Sequence, residues 1–249
     1  MRKFLYIIGV LILLVITGCA ISHRSLPTPT ESGEQLANKI ERSINKMAWD
    51  QTGIVTWNFV GAQHIWDKNR DLHSYTKGNN RILHSLAGKG GIHLKKGKAQ
   101  NNPQKWVKKA YNAWINDSFW LNPLVKFRDD GVELKTMTYD GEQVLLVHFT
   151  SGGNTPGDTY MWFVDEQFRP KMWRMWVSIV PIGGTSISWE GWTQLSTGAW
   201  ISTQHKAGPV TLKLSSVQGG KHWQELYEED PFEDLVQKYN LQFPSNDAP

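Results

Sequence analysis

At 249 residues, 40% apolar and 20% charged, the chain has the composition of a globular protein able to bury a sizeable core. Its 27 basic and 23 acidic residues leave a formal charge of +4, too little and too dispersed to mark a nucleic-acid-binding protein. A single cysteine excludes a disulfide framework within the chain, while 13 Trp, 7 Tyr and 9 Phe are an unusual load of large side chains.

The opening MRKFLYIIGVLILLVITGCA reads as a targeting segment. Arg2 and Lys3 are followed by an apolar run of 13 residues from Phe4 to Ile16. A membrane-spanning helix needs about 20. The stretch Ile16-Thr17-Gly18-Cys19 resembles the lipobox of bacterial lipoproteins. That resemblance implies cleavage before Cys19, a diacylglycerol on its sulfur and a further acyl chain, such as palmitate, on its amino group. Two or three acyl chains anchor a protein stably where one does not. Ala20 in place of aspartate resembles the pattern of lipoproteins sent to the outer membrane, so the expected location is its periplasmic face. Residues 1–18 are thus expected as the signal peptide, 19–31 as lipidated cysteine and flexible tether, and 32–249 as a single domain. Cleavage removes Arg2 and Lys3, leaving 25 basic against 23 acidic side chains.

Ser32 and Gln35 have the spacing of a helix-opening capping box. Leu36, Ile40, Ile44 and Met47 then form one apolar stripe at helical spacing. From Thr52 the period changes to two: GIVTWNFVG, LHSYT, RILHSLAG and GIHLKKGK predict four meandering strands before residue 100. Asn102-Pro103 opens a second helix, with Trp106, Ala110, Ala113 and Trp114 on a shared face. Its Lys105, Lys108 and Lys109 read, with Lys95, Lys96 and Lys98, as a solvated basic face. Seven further strands are predicted at 133–139, 143–150, 159–165, 171–180, 185–193, 199–205 and 209–217. Asp230-Pro231 and Glu233 start a last short helix on which Phe232, Leu235, Val236 and Tyr239 can pack.

Several of these strands are apolar on both sides. In RPKMWRMWV, Trp173, Met175 and Val177 oppose Met172 and Trp176, and QVLLVHFT and TYMWFVD repeat the pattern. A sheet with one wet face alternates apolar and polar instead. The second surface therefore packs helices, closes as a barrel, or lines a pocket for an apolar ligand.

Three stretches resemble the LolA/LolB superfamily of periplasmic lipoprotein carriers and their lipid-anchored receptor. They are the capped helix leading into TWNFVG, the mid-chain helix leading into WLNPLVKFRDDGVEL, and GDTYMWFVDEQFRPKMWRMWV, together about residues 33–217. The resemblance implies an α+β fold, mostly antiparallel β: an unclosed half-barrel of about ten or eleven strands, with helices covering its concave face. It also implies a non-enzymatic monomer without cofactor, held to the membrane by its N-terminal lipid and binding an acyl chain, lipid or lipoprotein. The carrier itself is soluble, whereas Cys19 implies an anchor. The receptor's protruding-leucine loop has no clear counterpart, since VPIGGTS offers only Val180 and Ile182.

The expected cavity lining is Trp57, Phe59, Leu146, Trp162, Trp173, Met175 and Trp189, with Arg174 facing a ligand headgroup. An enzyme using the cavity and a Trp-rich carbohydrate-binding module are the alternatives. A converging carboxylate and histidine would mark the first, and coplanar exposed indoles the second. His64, His73, His84 and His93 recur at nine to eleven residues, the spacing of successive hairpin strands, without His-x-His or HExxH. No metal site is expected from them. Asp158, Asp165 and Glu166 read as turn residues, and Ser151 lacks a nucleophile elbow.

Overall fold

Fifteen strands and four α-helices are found in residues 23–152 and 155–243, the part of the chain that the computed structural model describes. Cys19 and the signal segment lie outside that part. In chain order the elements begin with β1 (Glu31–Ser32), α1 (Glu34–Ser43), α2 (Lys46–Asp50), β2 (Ile54–Phe59), β3 (Ala62–Asp67) and β4 (Leu72–Lys77). They continue with β5 (Asn80–Ser85), β6 (Gly91–Lys95), β7 (Lys98–Ala99), α3 (Gln104–Leu121), β8 (Val132–Tyr139) and β9 (Glu142–Phe149). β10 (Thr159–Val164), β11 (Pro170–Trp176), β12 (Thr185–Ser188), β13 (Glu190–Gln194), β14 (Trp200–Ala207), β15 (Val210–Gly220) and α4 (Glu233–Tyr239) complete the set.

The strands form two open antiparallel sheets, ordered β1-β8-β9-β10-β11-β12 and β13-β14-β15-β2-β3-β4-β5-β6-β7. Each has two unpaired ends, so neither closes into a barrel. The α+β, mostly antiparallel and unclosed class expected from the sequence is what is observed. The chain divides into two compact units. One holds the six-stranded sheet and is drawn from Met1–Ile40, Lys126–Trp189 and Lys206–Pro209. The other holds most of the nine-stranded sheet and comprises Glu41–Val125, Glu190–His205 and Val210–Pro249.

The strand count exceeds the ten or eleven expected because β3 and the two-residue β1 and β7 were not legible and because 185–193 is two strands that part at Trp189. The first apolar stripe also breaks. Asn45 takes a left-handed φ of 53° between α1 and α2, and while Leu36, Ile40 and Ile44 are buried, Met47 is turned out to 75% exposure.

In the larger unit both faces of the sheet are covered by the chain itself. Ala110 of α3 packs with Ala62, Tyr75 and Ile82 on one face. Phe232 and Leu235 at the start of α4 pack with Ile54, Ile65, Leu72, Leu83 and Ile92 on the other. Arg70 fastens this second cover, pairing through both terminal nitrogens with Asp230 at 2.6 and 2.8 Å and through Nε with buried Asp67 at 2.7 Å. Gly91 of β6 has no room for a side chain: a Cβ there would lie 2.4 Å from Val107 of α3. That missing carbon lets α3 approach the sheet closely.

Candidate functional site

In the six-stranded sheet, register sets the composition of each face. Trp162 lies opposite Leu145 and Trp173, Trp173 opposite Ile187, and Tyr160 opposite Met175. Directly opposed residues share a face. Trp189 follows β12 and joins them, its backbone N–H donating to Lys171 O at 2.8 Å. The indoles of Trp162, Trp173 and Trp189 cross one another at 60–65°, with centroids 4.9–5.0 Å apart. Tyr160 leans on Trp173 at 4.7 Å and Phe127 meets Trp162 edge-on at 6.5 Å. The three indoles are at most 2% exposed. Four of the predicted lining residues, Trp162, Trp173, Met175 and Trp189, are therefore brought together on this face. Buried and crossed, these three rings offer no flat platform to a sugar.

Leu146 and Arg174 belong to the opposite face. Val144, Leu146, Met161 and Phe163 form its buried floor, and Met137, Tyr139, Met172 and Trp176 pack against it half-buried. Arg174 lies over this floor, its guanidinium 5.1 Å from the Tyr139 ring and 5.3 Å from that of Phe163. Such cation–π contacts are worth about 0.5–2 kcal/mol, more as water is excluded. Its ion pair with Asp140 is long, 3.4 Å, to a carboxylate 62% exposed, so it contributes little. Arg174 Nε is buried and has no hydrogen-bond partner among the described residues.

The segment read as a tether is fixed to this sheet at two places. Trp176 Nε1 donates to Arg24 O at 2.7 Å, Arg24 N to Gly183 O at 2.9 Å, and Gly183 N to His23 Nδ1 at 3.0 Å. Seven residues later, β1 pairs with β8 at the far edge of the sheet. Trp176 projects from the Arg174 face, so residues 25–30 cross that face as a strap, with Pro27 and Pro29 half-buried and Leu26 43% exposed.

Trp57 and Phe59 lie in the other unit, 0% and 3% exposed, in a core with Val55, Leu121, Ile201 and Leu214. Trp57 is stacked flat on His64, with centroids 4.6 Å apart and planes 6° apart. From His64 a chain of buried imidazoles crosses the sheet. His64 Nδ1 is 3.1 Å from His73 Nε2, and His73 Nδ1 is 2.9 Å from His84 Nε2. At the other end His64 Nε2 is 3.0 Å from Asp117 Oδ2 of α3. All three histidines are 0% exposed. Burial, then the neighbouring His84 and His64, hold the His73 pKa well below the usual imidazole value. Burial brings His84 down to about 4. Tyr75, edge-on to His64 at 5.4 Å, is pushed up by burial and by Asp117.

The histidine spacing in the sequence anticipates this alignment, but Asp117 does not stand out in a helix read as basic. The legible signal is that Asp117 falls three and four residues from Trp114 and Ala113 and seven from Ala110, on the apolar stripe of α3. His93, the fourth of the series, is diverted to Asn80 Oδ1 at 2.8 Å and stacks on Trp106. Among the described residues no group of three or more His, Cys, Asp or Glu is placed to hold a metal ion. Asp165 serves a turn, accepting from Gln167 N and Arg169 N, and Asp158 accepts from Thr155, Tyr160 and Ser178.

No protein-family profile and no curated protein matches this chain. Among solved structures, a DUF1329 family protein from Desulfovibrio piger is similar at a TM-score of 0.42 and 9% identity, over 82% of this chain and 97% of that one.

Proposed function

We propose that the protein is a LolA/LolB-like lipoprotein, anchored through Cys19 at the periplasmic face of the outer membrane, that binds the acyl chain of a lipid or lipoprotein. The binding face is the Arg174 side of the six-stranded sheet. One observation carries this reading: a half-buried guanidinium among Met and aromatic side chains, its Nε buried without an acceptor among the described residues and its contact with the Asp140 carboxylate long and solvated. An unpaired polar atom in such surroundings costs about 1–3 kcal/mol. An anionic headgroup bonded to Arg174 would recover that cost while its hydrocarbon lies along the half-buried Met137, Met172 and Trp176 that pack over the floor. The strap of residues 25–30 then serves as a lid over the chain.

The test is titration of the mature domain carrying Cys19→Ser with a fluorescent fatty acid and with the matching fatty alcohol. Arg174→Met is expected to weaken the acid by about tenfold or more, since a charged hydrogen bond contributes about 1.5–3 kcal/mol. The alcohol should be nearly unaffected. Absence of binding by both compounds, or equal loss for both, would refute the assignment.

A further inference from the structure

We propose that the loop between β11 and β12, residues 177–184, rests on the bilayer that holds the Cys19 lipid, with Ile179 entering the headgroup layer. The inference rests on the Cys19 anchor proposed above and on no other part of that reading. It comes from where the chain leaves the fold and from what the loop exposes there.

The loop is the seat of the N-terminal exit. Gly183 N donates to His23 Nδ1, Arg24 N to Gly183 O, and Trp176 Nε1 to Arg24 O. Two consecutive glycines make room for the crossing segment. A Cβ on Gly183 would lie 2.9 Å from Arg24 O and 3.0 Å from the His23 ring, and one on Gly184 would lie 2.8 Å from Arg24 Cβ. Gly184 also has a φ of 76°, which an L side chain rarely adopts. From Cys19 to His23 the chain makes four Cα-to-Cα steps, at most about 14 Å when fully extended. Acyl chains on Cys19 therefore suspend the six-stranded sheet from this loop at short range.

The antiparallel register places the end of β11 beside the starts of β10 and β12. Residues 177–184 carry no ionisable side chain. Asp158, just before β10, is 6% exposed and accepts from Ser178 N at 3.1 Å, so its carboxylate is tied into the base of the loop. Charged residues 126–130 precede β8, three strands and thus about 14 Å away from β11. Val180 N donates to Val177 O at 3.1 Å, closing a turn that carries Ser178 and Ile179 at its tip, and Ile179 is 75% exposed.

A lone exposed isoleucine is ordinary on a protein surface. This one is set apart by its place, on an uncharged turn beside the point of suspension. Arg24, exposed on the same loop, adds a cation where anionic headgroups would lie. The opposite end of the sheet has the reverse character, its turns carrying Asp140, Glu142, Asp165 and Glu166. Burying one isoleucine is too little to recruit a protein from solution. In a chain already held at the surface it favours the docked orientation by about tenfold.

A nitroxide attached at Ile179→Cys, and separately at Lys171→Cys near the far end of β11, tests this in the acylated full mature chain. Thioether-linked Cys19 does not react with the label, so each variant offers a single thiol. In vesicles of phosphatidylethanolamine and phosphatidylglycerol, the ratio of oxygen to nickel-complex accessibility at 179 should exceed that at 171 severalfold. In the Cys19→Ser chain without vesicles both labels should be open to the nickel complex. Equal, water-like ratios in a chain that mass spectrometry shows to be acylated would overturn the docking and leave the anchor standing. A chain with no acyl group on Cys19 would overturn both. Shielding at 179 without vesicles would also overturn the docking, since the protein itself would then cover the loop.

Discussion

Trp173→Ala is expected to destabilise the protein by about 3–5 kcal/mol, the cost of a large aromatic truncated in a packed core. Trp173 is 1% exposed and touches Trp162, Trp189 and Tyr160 at centroid distances of 4.7–4.9 Å. Removing the indole takes one ring from a mutually supporting set and leaves a void that the remaining rings cannot fill without leaving their rotamers. Pairwise aromatic contacts add about 0.5–1.5 kcal/mol each beyond the area buried. Leu146→Ala, on the opposite face and 3% exposed, removes a smaller side chain and should fall at the lower end of the roughly 2–5 kcal/mol seen for such truncations. Urea unfolding followed by tryptophan fluorescence and by circular dichroism provides the comparison. A loss under about 1 kcal/mol for Trp173→Ala would mean that this cluster does not hold the sheet's face.

Stability is expected to fall steeply as the pH is lowered from neutrality, because the folded protein refuses protons that the unfolded chain takes up. His84 titrates near 4 in the folded state against an ordinary 6.5, and His73 is held well below the ordinary value. Between those two values the unfolded state binds more protons, so stability rises with pH there and is lost as pH falls. His84 alone then accounts for about 3 kcal/mol, fully lost once the pH is below about 4. With His73 also refusing its proton, the slope reaches about 2.7 kcal/mol per pH unit at most. In the double variant His73→Gln, His84→Gln the slope should be shallower by about one proton at about pH 6.5 and by nearly two near pH 5. Urea titrations at stepped pH measure it. An unchanged slope would show that the two rings are not the source.

Where periodicity was strong, the sequence placed elements closely. TYMWFVD, expected at 159–165, is β10 at Thr159–Val164, and the last helix begins where Asp230 accepts from Phe232 N at 2.9 Å. The strand β3 was missed because AQHIWD carries polar groups to both faces. His64 belongs to the buried chain and pairs with His73 of the next strand, and Asp67 is held by Arg70 in the turn that follows, so neither polar group marks a solvent-facing side. Met47 was assigned to the core because a helix was assumed to continue through Asn45, and a single left-handed residue rotates it out.

The greasy second surface has two different explanations in the two units. In the larger one α3 and the segment around α4 cover both faces. In the smaller one the apolar residues split into the crossed indoles on one side and a Met-rich floor beneath Arg174 on the other. The sequence listed both sets together because alternation gives parity within a strand but not which parity each neighbour shares. Cross-strand register supplied that, separating Leu146 and Arg174 from Trp162, Trp173 and Met175. Trp57 and Phe59 went elsewhere because β2 joins the nine-stranded sheet.

Mass spectrometry of the protein gently extracted from membranes reaches the central claim most directly, by comparing native and denatured masses of one preparation. Any covalent acyl group on Cys19 would contribute to both, so only a guest held without a bond separates them. The native mass is expected to exceed the denatured mass by one acyl-bearing lipid, and the excess to vanish in Arg174→Met. Identical native and denatured masses in the wild-type protein would contradict a binding face beneath Arg174.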